Sequence, residues 1–328
     1  MTLTSHDGAV ELETFDRSHV RAAAALVAAR VRRERDANPI LPPARADAAT
    51  HVAILDNLAD SGSGVAALRA GILIGFQAAL LWGEGNERRA WVPDVAHAAA
   101  DGDTRLGEAL YARLAADWVS GGRFEHAVTV LAHETGLAAA YVRLEFGMRV
   151  VDLVRDLAPA VVKFDPSVAI RRADTRDAGT ILALEDGLRR HLAAAPTFHP
   201  WPARPLDEQE RRLADVATAT FLAEDAAGTP VAYLRIGPSS TDVAMVVRDP
   251  GTASITGAFT VPERRGEDVA TGLLDRALAW ARENGYVRCA VDHESANLQA
   301  TRFWSRHFAP AAFTYVRRVS PAAVAWPG

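Results

Sequence analysis

The residues best suited to do chemistry lie in a turn, residues 262–268, that leads directly into a helical pattern. Backbone N–H groups at the start of a helix are unpaired, point the same way and lie at the positive end of the helix dipole. Arg264 and Arg265 add positive charge, and Gly266 lets the backbone approach an oxygen closely. This combination suits a pyrophosphate, although an ordinary solvated turn between strand and helix would contain the same residues.

The elements that position this turn follow from the apolar periodicity. Residues 255–261 predict a strand and residues 269–283 a helix that stops at Asn284-Gly285. Residues 287–292 predict another strand, and Asn297 opens a second amphipathic helix that ends near Phe308. The stretch is therefore a β-loop-α-β-α unit.

The loop sequence Arg265-Gly266-Glu267-Asp268-Val269-Ala270-Thr271 resembles the pyrophosphate loop of the GNAT superfamily of acyl-CoA N-acyltransferases, written Q/R-x-x-G-x-G/A. The resemblance continues on the following helix. Asn297, Ala300, Phe303 and Trp304 fall where that superfamily carries an Asn, an Ala and an aromatic pair.

Three positions depart from the family pattern. Asp268 stands where the middle Gly normally lies, which brings a negative side chain to the phosphate groove. Trp304 replaces the Tyr that protonates the leaving thiolate in many members, and Phe308-Ala309 replaces the usual Gly-Phe. The family's usual general acid is therefore absent.

The resemblance implies an α/β (α+β) fold of two tandem GNAT-like domains, each a mixed, mostly antiparallel sheet flanked by helices. It also implies acetyl-CoA as the cofactor. The residues expected to bind it are Phe259, Thr260, Val261, Arg264, Arg265, Gly266, Glu267, Asp268, Val269, Ala270, Thr271, Asn297, Phe303 and Trp304.

The implied reaction is direct attack of a primary amine of a small molecule on acetyl-CoA. Backbone N–H groups near residues 259–261 are expected to polarise the thioester carbonyl. Candidates for the base lie in Asp292-His293-Glu294, and Glu294, followed by His293, is our prediction for the catalytic residue. Each is equally compatible with a solvated strand end, and positioning with a water-mediated base would also accelerate the reaction.

The acceptor site is expected beside residues 195–206, which carry Phe198, His199 and Trp201 between prolines and fit neither helix nor strand. In GNAT-like folds the region between the first two helices borders this site, and Tyr233 is expected to contribute to it. A surface loop is the alternative interpretation of the same segment.

The organising unit has a weaker copy earlier in the chain. A constant separation of 163 residues pairs Leu110 with Leu273 and Tyr141 with Trp304 without a gap, which indicates an internal duplication. We predict a degenerate N-terminal GNAT-like domain, residues 1–158, and a C-terminal domain with the acetyl-CoA site, residues 159–328. Asp101 and Asp103 in the N-terminal loop would repel a pyrophosphate.

Composition limits the remaining possibilities. The 328 residues are 49% hydrophobic and 23% charged, values typical of globular proteins with a large core. A net charge of -5 argues against a nucleic-acid surface, and no apolar run reaches membrane-spanning length. Residues 1–10 lack a secretion signal, so we expect the protein to stay in the cytoplasm. We also expect a monomer or a homodimer. We predict that the single cysteine, Cys289, is a small buried hydrophobic residue. No spacing of Cys and His residues suggests a metal site.

Two other classes of function remain open. One is a non-catalytic acyl-CoA sensor or scaffold in which Asp268 and Trp304 mark a decayed active centre. The other is an unrelated nucleotide-binding module whose Arg265-Gly266 turn holds a phosphate.

Overall fold

The computed structural model describes residues 3–5, 8–85, 88–161 and 168–325. The expectation that residues 1–10 lack a secretion signal concerns a segment of which residues 1–2 and 6–7 lie outside the described residues. The helices are α1 (Val20–Ala37), α2 (Ala49–Asp60), α3 (Thr104–Ser120), α4 (Thr135–Arg143), α5 (Ala178–Ala193), α6 (Leu206–Ala214), α7 (Val269–Glu283) and α8 (Leu298–Trp304). The strands are β1 (Leu3–Ser5), β2 (Gly8–Thr14), β3 (Gly64–Arg69), β4 (Ile72–Ala78), β5 (Leu80–Trp82), β6 (Arg89–Val92), β7 (His97–Ala99), β8 (Glu125–Leu131), β9 (Gly147–Asp156), β10 (Ala169–Arg172), β11 (Ala219–Glu224), β12 (Pro230–Pro238), β13 (Thr252–Thr260), β14 (Arg288–Glu294) and β15 (Ala309–Arg318).

The described chain forms two compact units that are interleaved along the sequence. The first takes in residues 1–151, 244–246 and 310–328, and the second takes in residues 152–243 and 247–309. The proposed boundary of the duplicated segments, between residues 158 and 159, stays a prediction because compactness does not report on duplication.

The first unit contains two sheets. One has the order β1-β2-β3-β4-β7 and is antiparallel throughout. In the other, β8 lies between β6, to which it is parallel, and β15, to which it is antiparallel. β15 pairs from Ala312 opposite Leu131 to Arg318 opposite Glu125, so the last strand of the chain belongs to the first unit.

The second unit confirms the expected mixed, mostly antiparallel sheet flanked by helices. β10, β11, β12 and β13 are antiparallel neighbours, and β14 lies parallel to β13. Its core contains Ile181, Leu184 and Leu222, and each such buried side chain contributes about 2 kcal/mol from removal of apolar surface from water.

The helix after the candidate turn has the predicted bounds, Val269–Glu283. Its buried face includes Leu273, Leu274 and Leu278. It ends because Gly285 adopts a φ of 80°, which lets the Tyr286 N–H donate to the Ala281 carbonyl at 3.0 Å. The chain thereby turns out of the helix and into β14.

Among the described residues, no helix has the length and apolar character needed to cross a membrane. In the same part of the chain, no group of three or more His, Cys, Asp and Glu side chains could hold a metal ion. The prediction for Cys289 is confirmed, because the residue is buried and burial raises the pKa of its thiol to about 12.

Candidate functional site

The second unit contains an opening between two parallel strands. β13 and β14 pair over four residues each, ending at Ile255 opposite Val291. Both strands continue past this point, β13 to Thr260 and β14 to Glu294. The two strands therefore separate, and a gap forms in the sheet.

The separation begins at a β-bulge in β13. Ile236 lies opposite Ile255 and Arg235 lies opposite Gly257, so Thr256 is an extra residue in the register. A bulge bends its strand and increases its twist. Thr256 is exposed and the remainder of β13 is half-buried, whereas residues 252–255 are buried. The bulge thus directs the end of β13 away from β14.

Backbone groups of β13 face this opening. The Val261 N–H donates to the Val231 carbonyl at 2.9 Å, next to β12. Because successive residues of a strand direct their backbone groups to opposite sides, the N–H groups of Ala258 and Thr260 point into the opening. Of the three positions predicted to polarise a carbonyl, Thr260 therefore directs its N–H into the gap, while Val261 is already bonded.

The turn before α7 contains two residues in the left-handed conformation and leaves backbone N–H groups unpaired. Gly266 and Asp268 have φ values of 86° and 58°, so Asp268 takes the left-handed conformation that usually favours glycine. Asp268 is the N-cap of α7, but its side chain accepts no capping hydrogen bond. The Gly272 N–H is the first to bond within the helix, to the Asp268 carbonyl at 3.0 Å. The N–H groups of residues 269–271 therefore have no partner inside α7.

The two arginines of the turn are engaged by protein groups. Arg264 Nε lies 2.6 Å from Glu267 Oε2. Arg265 Nε donates to the Thr260 carbonyl at 3.0 Å, and its guanidinium lies 5.6 Å from the Phe259 ring centroid. Burial lowers the pKa of Arg265. Glu267 therefore balances the charge of Arg264, and the guanidinium of Arg265 packs against β13.

A carboxyl group with a perturbed pKa lies on the other side of the opening. Asp292 is the first residue of β14 beyond the paired segment. Burial, followed by repulsion from Glu294 and Asp242, raises the pKa of Asp292 to about 6. Such a group is ionised at neutral pH and yet basic enough to take a proton from a reacting amine.

The two predicted catalytic residues have different environments. Glu294 lies on the same face of β14 as Asp292 and is half-buried, whereas His293 points to the opposite face and is buried. His293 Nδ1 lies 3.0 Å from the Glu294 carbonyl, to which it donates, and burial lowers the pKa of its imidazole. The structure therefore brings Glu294, but not His293, to the face that carries Asp292.

The segment between α5 and α6 lies beside these carboxylates. His199 Nε2 is 3.7 Å from Glu294 Oε1, and the His199 and Trp201 ring centroids are 6.3 Å apart. Trp201 lines a cavity of about 480 Å³ together with Glu185 and Arg204. The side chain of Phe198 is 69% exposed. The predicted acceptor residues His199 and Trp201 thus lie between the strand end and a cavity.

Tyr233, also expected at the acceptor site, lies in the core of the second unit. It packs with Ile181, Leu184 and Leu222, and burial raises the pKa of its hydroxyl. The cluster that contains Tyr233 packs against Phe259 of β13. Tyr233 does not line the cavity of Trp201.

The predicted residues of α8 hold the start of that helix in place. The Asn297 side chain accepts from the Ala300 N–H at 3.2 Å, and His191 Nε2 lies 3.3 Å from Asn297 Oδ1. Phe303 and Trp304 pack edge to face with centroids 4.8 Å apart. Trp304 is 6% exposed, so a thiol would meet little of its indole surface.

Two features of the site were missed or given too little weight by the sequence analysis. The bulge at Thr256 has no local signature, since a threonine fits any strand. Asp292 was named among the candidates, but Glu294 and His293 were preferred. The available signal was alternation along residues 287–294, which places Asp292 and Glu294 on one face.

In the corresponding loop of the first unit, a side chain of the loop occupies the N–H groups at the start of α3. Asp103 accepts hydrogen bonds from the N–H groups of Arg105 and Leu106 at 3.0 and 3.2 Å. These are the groups that a pyrophosphate would use at the start of α3. Tyr141, predicted to be a core aromatic residue, is 1% exposed.

Comparisons with known proteins agree with this geometry. Residues 188–308 match the model of the Acetyltransferase (GNAT) family. No curated protein matches the chain. A GCN5-related N-acetyltransferase from Sphaerobacter thermophilus is 13% identical and superposes with a TM-score of 0.59, covering 94% of this chain and 95% of its own. A tandem GNAT protein from the clavulanic acid biosynthesis pathway is 14% identical with a TM-score of 0.50, covering 97% and 99%.

At such low identity the two solved structures establish the fold alone, over almost the whole chain. The sequence match covers the separated strands, the turn and both following helices. The family's sequence pattern is therefore found in residues 188–308, and the fold over almost the whole chain is similar to that of a tandem GNAT protein.

Proposed function

We propose that the protein is an N-acetyltransferase that moves an acetyl group from acetyl-CoA to a primary amine of a small molecule. The observation that carries this proposal is the opening between β13 and β14, with free N–H groups on one side and Asp292 on the other. The family match makes acyl transfer the general expectation, and this geometry supports the choice of an amine acceptor.

The residues present fit an acyl-CoA. The unpaired N–H groups of residues 269–271 and the left-handed turn at Gly266 suit a pyrophosphate, and the Thr260 N–H suits an acyl carbonyl. When bound, acetyl-CoA supplies an acetyl group activated as a thioester. Glu267 and Arg264 bond to each other at the rim, where they would order the turn.

Asp292 is the residue we propose as the general base. Since burial and Glu294 raise its pKa to about 6, its carboxylate can accept a proton from an ammonium group brought to the opening. The second carboxylate on the same face, Glu294, has His199 Nε2 at 3.7 Å from its Oε1. Two carboxylates together also attract a cationic amine before it is deprotonated.

The cavity at Trp201 is the proposed acceptor pocket. Its walls include Glu185, Asp186 and Glu208, each of which is paired with an arginine, and Trp201 provides an aromatic surface that suits a cationic group. The negative net charge of the chain also favours a cationic acceptor.

The test is a thiol-release assay of the purified protein with acetyl-CoA and a panel of amines that includes amino acids, polyamines and aminoglycosides. We expect CoA release that depends on one class of amine, with an acetylated product confirmed by mass spectrometry. Binding of acetyl-CoA without release for any amine would instead support a sensor or scaffold. Displacement of CoA by ATP at equal concentration would support a general nucleotide-binding module.

A further inference from the structure

A second cavity lies within the first unit, beside the loop that Asp103 closes. It has a volume of about 180 Å³ and is bounded by the end of β7, the loop before α3 and the start of α4. Its apolar wall contains Phe76 and Leu110, which are at most 1% exposed, and Leu137. The cavity has room for a small molecule with an apolar part.

One polar group on its wall is the side chain of Gln77, which is 1% exposed. The Tyr141 hydroxyl donates to Gln77 Oε1 at 3.2 Å, which fixes the orientation of the amide. Gln77 Nε2 has no hydrogen-bond partner among the described residues. A buried amide donor without an acceptor is unfavourable, so a ligand that accepts its hydrogen bond would remove that cost.

The start of α4 supplies further donors to the same cavity. Thr135, Gly136 and Leu137 line it, and they are the first residues of the helix. The N-cap, Glu134, makes no capping hydrogen bond through its side chain, and the Ala138 N–H is the first to bond to the Glu134 carbonyl. The three preceding N–H groups have no acceptor in the part of the chain that the structure describes, so the helix end favours an anion.

The charges around the cavity leave this anion site open. The Glu134 carboxylate is bound by Arg30 Nε at 2.6 Å, and the Asp103 carboxylate is bound by the N–H groups of α3. Arg33 lines the cavity with an exposed guanidinium that has no partner in the described residues. Both acidic groups of the wall are therefore already neutralised or capped, whereas one cation and the α4 donors are not.

We propose that this cavity binds a short-chain carboxylate. The carboxylate accepts hydrogen bonds from Gln77 Nε2 and the first N–H groups of α4, and the alkyl group packs against Phe76 and Leu110. A phosphate group fits less well, because it has no alkyl group to pack against Phe76 and Leu110. This site is independent of acetyl transfer, since all of its residues belong to the first unit.

Isothermal titration of the full chain with sodium butyrate tests the proposal. We expect one saturable site per chain, with weaker binding of butyramide, which keeps the carbonyl but lacks the charge. Gln77→Met keeps the side-chain size and removes the donor, so affinity should fall about tenfold or more. Arg33→Gln should weaken butyrate severalfold, whereas Arg21→Gln, an equal charge change elsewhere on α1, should not.

Circular dichroism establishes that each variant is folded. If Gln77→Met does not fold, the comparison of Arg33→Gln with Arg21→Gln decides the matter. Absence of saturable butyrate binding by the unaltered protein would overturn the proposal. Tighter binding of inorganic phosphate than of butyrate, or equal affinity in the Arg33 and Arg21 variants, would overturn it as well.

Discussion

Asp292 links the shape of the site to its chemistry. It is the first β14 residue that no longer pairs with β13, and it remains buried enough to lose solvation. Glu294 on the same face adds like-charge repulsion, and both effects favour the neutral acid. A carboxyl with a pKa of about 6 can serve as a base at neutral pH, unlike an exposed aspartate.

Replacing this carboxyl should therefore remove the base. We expect Asp292→Asn to lower kcat about a hundredfold, since a positioned general base contributes on that scale. In the unaltered protein kcat/KM should fall as the pH drops below about 6, and the variant should lose this limb. Steady-state kinetics between pH 5 and 9 measure both effects. Glu294→Gln serves as the control, and a larger loss in that variant would move the role of base to Glu294.

The same pKa has a consequence for stability. Because the folded state raises the pKa of Asp292 above the ordinary 3.8, folding favours the protonated form. This contribution is complete below about pH 4 and is lost as the pH rises through 6. Asp292→Asn should thus be about 1–2 kcal/mol more stable than the unaltered protein at pH 8, with the difference disappearing at pH 4. Urea unfolding at the two pH values measures it, and an equal difference at both would contradict the assigned pKa.

Asp268 occupies a position where the family pattern has glycine. Its φ of 58° is the conformation that glycine adopts without strain, and its side chain caps nothing. The carboxylate therefore provides no hydrogen bond to α7 while adding negative charge near the proposed phosphate site.

Asp268→Gly should tighten CoA binding by about 1 kcal/mol, the scale of one unfavourable charge near a surface. Glu283→Gln removes the same charge at the far end of α7 and should leave the affinity unchanged. Titration calorimetry with CoA compares them. Weaker binding by the Asp268 variant would mean that this carboxylate helps to hold the turn in place.

At the scale of elements, both ends of α7 could be predicted from the sequence because two strong local signals agree. These are a helical apolar period and a glycine whose positive φ ends the helix. The separation of β13 from β14 could not be predicted in this way. It depends on the bulge at Thr256 and on where a parallel pairing stops, and both are set by neighbours distant in sequence.

The position of α5 against β13 depends on Gly187. A Cβ atom at this position would lie 2.7 Å from the Phe259 ring, and hence Gly187→Ala should force the ring to move. We expect a loss of about 1–3 kcal/mol from this overpacking, partly offset by the better helix propensity of alanine. Gly179→Ala on the same helix meets no atom within 4 Å and should not destabilise the protein. Urea unfolding of both variants checks this, and equal stabilities would show that α5 can shift freely.

At the scale of the whole molecule, the repeat of 163 residues indicated the tandem arrangement, since matching positions fall in equivalent helices. The strand with which β15 pairs could not be predicted from the sequence. Its alternating pattern predicts a strand but not a partner, and it pairs with β8 of the first unit, where Arg318 lies opposite Glu125. Expressing residues 159–328 alone would therefore leave this strand without its neighbour.

We infer that the second unit binds CoA and that the first unit does not. Titration calorimetry of CoA into the full chain and into two matched variants tests this inference. Gly266 and Gly102 have φ values of 86° and 70° in corresponding loops, with open space where a Cβ would lie, so alanine strains both turns alike. We predict one CoA per chain, an affinity lowered about tenfold in Gly266→Ala through displaced amide donors, and no change in Gly102→Ala. Two CoA per chain, or loss of binding in Gly102→Ala with binding intact in Gly266→Ala, would contradict it.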